Sequence, residues 1–87
     1  MKIQFMEKAG EELTNWMQHD PKVTKKIGAL LKDIQRHPYL GLGKPELLKH
    51  DRQGWWSRRI TAEHRLVYRI EEDVIYVAQC RSHYEDK

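Results

Sequence analysis

The chain has 87 residues, 39% of them hydrophobic, with 16 Lys/Arg against 13 Asp/Glu and one cysteine. A chain of this size buries only about 60–65% of its unfolded surface, so we expect one domain over residues 1–87, one modest core and no deep small-molecule cavity. Cys80 has no partner for an internal disulfide, and no N-terminal apolar run resembles a signal peptide or membrane span, so the expected setting is soluble, cytoplasmic and away from membranes.

Lys2 to Phe5 alternates polar and apolar residues and predicts a short strand. Met6, Ala9, Leu13, Trp16 and Met17 then recur at spacings that line one face of a helix. Asp20 offers an N-cap with Pro21 at the first helical position, and Val23, Ile27, Leu30, Leu31 and Ile34 give a second amphipathic stripe. Pro38 stops that helix, and Gly41 and Gly43 are expected to loosen the loop beyond it. After Pro45 the period changes to two. Residues 46–49, 55–60, 66–70 and 74–81 predict four strands joined by short turns, which implies antiparallel neighbours. The expected architecture is α+β: two helices packed on one face of a twisted, mainly antiparallel five-stranded sheet.

Alternation sorts the faces of that sheet. Trp56, Ile60, Leu66, Tyr68 and Ile70 point toward the helices, leaving Trp55, Arg59, Arg65 and Arg69 toward water or a ligand. Adjacent Trp55 and Trp56 cannot both point inward from a regular strand, so one remains for a partner or a base to stack on. Charge follows the same division: residues 44–69 hold seven Lys/Arg and three acids, whereas the net charge of the whole chain is +3. A basic face on a near-neutral scaffold suits a polyanion, and it also fits a merely solvated surface.

Cleaving an RNA phosphodiester through its own 2′-OH needs a base for that hydroxyl, cations for the crowded phosphorane and an acid for the departing 5′ oxygen. Glu46 suits the base, and Arg65 and Lys49 suit the phosphate, Arg because its planar fork grips two oxygens at once. His83 suits the acid, since imidazole titrates near neutral pH. Tyr84 can donate a hydrogen bond or stack on a base. Each has a plain structural alternative: a solvated pair for Glu46 and Lys49, a cross-strand ion pair for Arg65, a frayed end for His83 and Tyr84. Cys80 with His83 has a spacing seen among zinc ligands, but no second pair accompanies it, so no metal or other cofactor is expected. His19 and His37 close predicted helices, where an imidazolium favours the negative dipole end; His50 and His64 sit beside turns as minor RNA contacts.

Three ordered runs then carry a family resemblance: GKPELLKH from Gly43 to His50, GWWSRRITAEHRLVYRI from Gly54 to Ile70, and AQCRSHY from Ala78 to Tyr84. They resemble the YoeB/Txe toxins of the RelE superfamily, the ribosome-dependent mRNA interferases of bacterial toxin–antitoxin systems. The resemblance covers essentially the whole chain. It implies a small microbial-RNase fold and metal-free acid–base cleavage of mRNA in the ribosomal A site. By position, Glu46 matches the family's general base, His83 its general acid and Arg65 its transition-state-stabilising arginine. Lys49, Arg59 and Tyr84 match residues that hold the scissile phosphate, and Glu63 a further acidic residue near the site. The resemblance also implies a YefM/Axe-like antitoxin, a toxin homodimer that docks on the small ribosomal subunit, and operator DNA bound only through the toxin–antitoxin complex. The competing expectation is a non-catalytic toxin of the same fold that acts by gripping another molecule. Two departures stand out: Met6 replaces a polar cap, and Glu85, Asp86 and Lys87 extend past the His-Tyr pair.

Overall fold

A computed structural model describes residues 1–82. Strand β1 (Lys2–Phe5) leads into helices α1 (Glu7–His19) and α2 (Pro21–Arg36), followed by β2 (Glu46–Leu47), a single 3₁₀ turn (His50–Arg52), β3 (Trp56–Arg59), β4 (Arg65–Glu71) and β5 (Val74–Gln79). The strands form one five-stranded sheet in the order β1-β5-β4-β3-β2. Only β1 and β5 pair in parallel; the remaining neighbours are antiparallel. The expected fold is therefore observed.

Asp20 caps α2 as its position predicts, its Oδ1 accepting from the Val23 N–H at 3.2 Å. Met6 precedes α1 without a side-chain cap, as expected of a residue with no acceptor. The stripe of α1 is narrower than its spacing suggests: Ala9 is buried and Leu13 and Trp16 pack beside the core, but Met6 and Met17 are exposed. All five stripe residues of α2 are buried against Ile60, Leu66, Tyr68, Ile75 and Val77 of the sheet. Cys80 joins this core. Burial, reinforced by the charge of Glu12, pushes its thiol up to about 12, which keeps it protonated.

Two differences from strict alternation matter for the opposite face. The β4–β5 register slips between Val67 and Tyr68, so Val67 faces Gln79 while Tyr68 faces Val77. That bulge moves Gln79 out of the core face that Ile75 and Val77 define and turns Cys80 inward instead. Strand β2 is also shorter than expected, ending at Leu47. Just past its end the Leu48 N–H still donates to the Trp55 carbonyl at 2.9 Å while the Leu48 side chain is 2% exposed, and the 3₁₀ turn takes the place of a simple bend.

The loop between α2 and β2 is clamped, contrary to the expectation that its glycines loosen it. Arg58, the one β3 residue between Trp56 and Ile60 on the helix side, is fully buried. Its guanidinium donates to Asp33 Oδ2 at 2.6 Å and to the carbonyls of His37, Leu40 and Leu42 at 2.5, 2.7 and 3.1 Å. Nε donates to the Tyr68 hydroxyl at 3.2 Å, which in turn donates to the Pro38 carbonyl at 2.7 Å. A segment with no ladder of its own thus has its carbonyls satisfied by two side chains. Gly43, with φ of 78°, sits so close that a Cβ there would lie 2.9 Å from the Arg59 carbonyl oxygen. The glycines serve close approach, and the loop delivers Glu46 from a fixed frame.

The Leu42 N–H, and then the Arg58 guanidinium, hold the Asp33 carboxyl below its ordinary 3.8. A carboxylate with a depressed folded value contributes stability that is present above the ordinary range and lost as pH falls through it. Asp33→Asn is therefore expected to be less stable than the native chain at pH 7, with the gap closing toward pH 3. Urea midpoints across that range test this, and a gap independent of pH overturns it.

Candidate functional site

The helices cover one face of the sheet, and the candidate residues lie on the other. Glu46 pairs with Ser57, Ser57 with Val67, and Arg59 with Arg65. Glu46, Arg59 and Arg65 therefore point from the same face, with Glu46 and Arg59 on diagonal positions roughly 7–8 Å apart. Arg59 is exposed and Arg65 half-buried. Lys49 is exposed just before the 3₁₀ turn, and Glu63 is exposed on the turn from β3 to β4. His83 and Tyr84 lie outside the described residues.

Arg65 is oriented by its own turn. Its Nη1 donates to the carbonyls of Thr61, Ala62 and His64 at 3.2, 3.3 and 3.4 Å. The turn is itself tied by Thr61 Oγ1, which accepts from the N–H groups of Glu63 and His64. Those carbonyl bonds point Nη1 toward the chain's own turn.

A second group of residues draws the end of β5 onto this site. The Cys80 N–H donates to Glu12 Oε1 at 2.8 Å, and Trp16 Nε1 donates to the Cys80 carbonyl at 2.9 Å. Gln79 Nε2 donates to the Arg81 and Ser82 carbonyls, while Arg52 Nη2 donates to Gln79 Oε1 at 3.3 Å. The Arg65 N–H donates to the Ser82 carbonyl at 3.1 Å, and His64 Nδ1 accepts from the Ser82 N–H at 2.7 Å. Accepting at Nδ1 requires a neutral ring with its proton on Nε2, and the Trp16 ring packs edge-on 4.9 Å away. Segment 80–82 is thus held from both faces of the sheet, directly before His83.

Sequence reasoning passed over Gln79 and did not foresee the hold of His64 on the 80–82 backbone. His64 reads as a turn residue beside RNA, yet it holds backbone; its place immediately before Arg65 was the available signal. Nothing in the alternation flags Gln79, because only the bulge turns it to the face opposite the helices, where it is buried. Trp56 takes the core side, stacked 4.6 Å from Tyr39, and leaves Trp55 on the open face, as two adjacent indoles require. Among the described residues no three His, Cys, Asp or Glu side chains gather as a metal site, and no helix is long and apolar enough to cross a membrane.

Comparison with known proteins places this arrangement in a family. Residues 5–84 match the family model of the YoeB-like toxin of bacterial type II toxin–antitoxin systems. Toxin YoeB of Escherichia coli strain K12 is 48% identical over 84 residues, which cover 97% of this chain and all of the relative. Among solved structures, a YoeB/ParE toxin from Agrobacterium tumefaciens superposes with a TM-score of 0.94 at 44% identity, covering 97% of this chain and 100% of that one. YoeB of Staphylococcus aureus, solved as a dimer, superposes with a TM-score of 0.91 at 45% identity over 97% of this chain and 98% of that one. A heterotetrameric YoeB–YefM toxin–antitoxin complex from Staphylococcus aureus superposes with the same score and coverage. With this coverage and identity, the chain belongs to the YoeB-like toxins of bacterial type II toxin–antitoxin systems.

Proposed function

We propose that this toxin is a ribosome-dependent endoribonuclease that cuts mRNA in the A site and so stops translation. The observation that carries the reading is the convergence of Glu46, Arg59 and Arg65 at one end of the sheet face opposite the helices, where the Arg65 N–H also binds the Ser82 carbonyl. Glu46 takes the proton of the 2′-OH, and the freed oxygen attacks the adjacent phosphorus. Arg65, with Arg59 and Lys49, neutralises the charge gathering on the phosphorane oxygens. His83 gives its proton to the departing 5′ oxygen, leaving a 2′,3′-cyclic phosphate and a 5′-hydroxyl. Tyr84 steadies the phosphate or a neighbouring base, and Glu63 adds an acceptor at the rim of the site. No cofactor enters this scheme.

The dimer and the YefM complex of the Staphylococcus aureus relative support two partners for this chain: a second copy of itself and a YefM/Axe-like antitoxin. With that antitoxin the toxin acts as a co-repressor on operator DNA, and its work on ribosomes is cytoplasmic. Primer extension on an mRNA in a purified translation system tests the catalytic reading. Cuts set by codon position that need ribosomes support it; no cuts by the native chain overturn it in favour of a non-catalytic toxin that grips its target.

The hold on segment 80–82 gives a further expectation. His64→Phe removes the acceptor for the Ser82 N–H and is expected to slow cutting on the order of 10–100-fold, since a misplacement of about 1 Å costs ~10²-fold. His64→Asn, which returns an acceptor oxygen near the Nδ1 position, is expected to recover most of the rate. Amide exchange at Ser82 should accelerate in the Phe variant alone; equal exchange in all three chains removes the role assigned to His64.

A further inference from the structure

The open face carries a second feature that the cleavage site does not use. Continuing the β3–β4 register by one position sets Trp55 beside Arg69, and Arg69 pairs with Tyr76 of β5. These side chains, with Met6 and Glu71, line an open groove of about 220 Å³. The Trp55 indole is half-buried and cannot turn inward, because Trp56 occupies that side. The Arg69 guanidinium carbon lies 6.0 Å from the Trp55 ring centroid, and its Nη2 donates to Glu71 Oε2 at 2.7 Å. Both partners of that ion pair are about half exposed, so it is weak and can yield to a stronger anion.

We propose that this groove is a second RNA subsite, in which a nucleotide about four positions along the strand from the cleaved phosphate stacks its base on Trp55 and sets its phosphate on Arg69. The inference rests on the catalytic reading above for the direction of the strand and on three observations for the site itself. First, an aromatic face beside a free-edged cation is the pairing that single-stranded nucleic acid uses without regard to sequence. Second, Arg65 and Arg69 lie four residues apart on the same face of β4, about 13 Å at ~3.3 Å per residue. A single strand with a stacked rise of ~3.4 Å covers that in about four nucleotides. Third, the path between them is cationic: Arg52 is tied to Gln79, which pairs with Val67 midway along β4. Three guanidinium groups therefore follow the strand direction on the face opposite the helices, along the rim of a middle stretch where Ser57, Val67 and Gln79 are buried.

The test is fluorescence anisotropy of the full chain with a labelled single-stranded oligonucleotide of seven 2′-O-methyl residues, which cannot be cleaved, at low salt. Trp55→Ala is expected to weaken binding about five- to 150-fold, the range measured for losing one base–aromatic stack, and Trp55→Phe to retain most of it. Arg69→Gln should weaken binding and flatten the salt dependence by about 0.7 in log–log slope, one phosphate's worth. Glu71→Gln, which removes a negative charge from the lip, should leave affinity equal or higher. Melting temperatures of the variants, read alongside, separate lost contact from lost fold. Equal binding by native chain and a folded Trp55→Ala variant, or no binding by the native chain, overturns the subsite. A groove that loses an acidic peptide but not the oligonucleotide on Trp55→Ala would belong to a peptide partner, which also overturns it. Primer extension on ribosomes reads the catalytic proposal independently: native cuts with unchanged oligonucleotide binding in Trp55→Ala remove the subsite and leave the nuclease standing.

Discussion

Replacing Glu46 with alanine, or His83 with glutamine, is expected to slow mRNA cutting on ribosomes by about 10²–10⁴ each, the usual worth of one positioned proton transfer. Both changes remove a proton-transfer group and little contact area, so ribosome and antitoxin binding should persist. The two roles belong to one reaction coordinate, so the double variant should fall little below the slower single one. Single-turnover primer extension at saturating toxin separates these effects. A parallel loss of ribosome binding would make both side chains anchors, and Glu46 would then be reassigned to holding the strand.

Arg58→Met is expected to destabilise the fold by about 3–5 kcal/mol, the typical result of breaking a buried ion pair from one side. The loss has several sources. Asp33 loses its cation, the carbonyls of His37, Leu40 and Leu42 lose their donors, and Tyr68 loses a hydrogen bond. For a domain this size, each kcal/mol lowers the melting temperature by about 4–8 °C, and total stability is only about 5–15 kcal/mol. Thermal melts of the native and variant chains check this; a shift corresponding to less than about 1 kcal/mol would mean that the network is replaceable. One consequence concerns the choice of controls. Arg58 and Arg65 lie on opposite faces, as alternation requires, but a loss of cutting in Arg58→Ala would report a damaged fold. Arg36, exposed at the end of α2, is the sounder control for Arg65→Ala.

Local pattern carried much of the architecture. The Asp20-Pro21 start of α2, its five-residue apolar stripe and the Pro38 stop are all short-range signals, and α2 runs as they predict. The period-two stretches likewise mark β3 to β5 and sort Trp56, Ile60, Leu66 and Tyr68 from Arg59 and Arg65, because a pleated strand alternates whatever lies beyond it. Errors gathered where a neighbour overrides the local pattern. Residues 48–49 continue an extended pattern, yet the strand ends at Leu47, with one further bond from the buried Leu48 to the Trp55 carbonyl before the 3₁₀ turn begins. Met17 has helical spacing with Leu13, but the sheet does not reach far enough around α1 to cover it.

For the site, residue chemistry nominated Glu46, Lys49, Arg65, His83 and Tyr84 as candidates, the family resemblance added Arg59 and Glu63, and the ordered motifs placed the chain near the YoeB-like toxins. Which chemistry an ionisable group can perform is intrinsic to the side chain, so a single sequence carries that information. Where the group sits relative to another depends on pairing register, and register is a property of two strands at once. The pairing of Arg59 with Arg65, the bulge that turns Gln79 to the face opposite the helices, and the hold of His64 on Ser82 are contacts between segments distant along the chain. The same holds for Arg58: alternation assigns it to the helix side, but only the packing of Asp33, Tyr68 and the 37–42 loop around it turns a surface-type residue into a buried clamp. Sequence alone thus determined the elements and the chemical inventory, through local sterics and side-chain chemistry. Tertiary structure decided which of those groups meet, because burial and long-range hydrogen bonding are settled only when the segments close on one another.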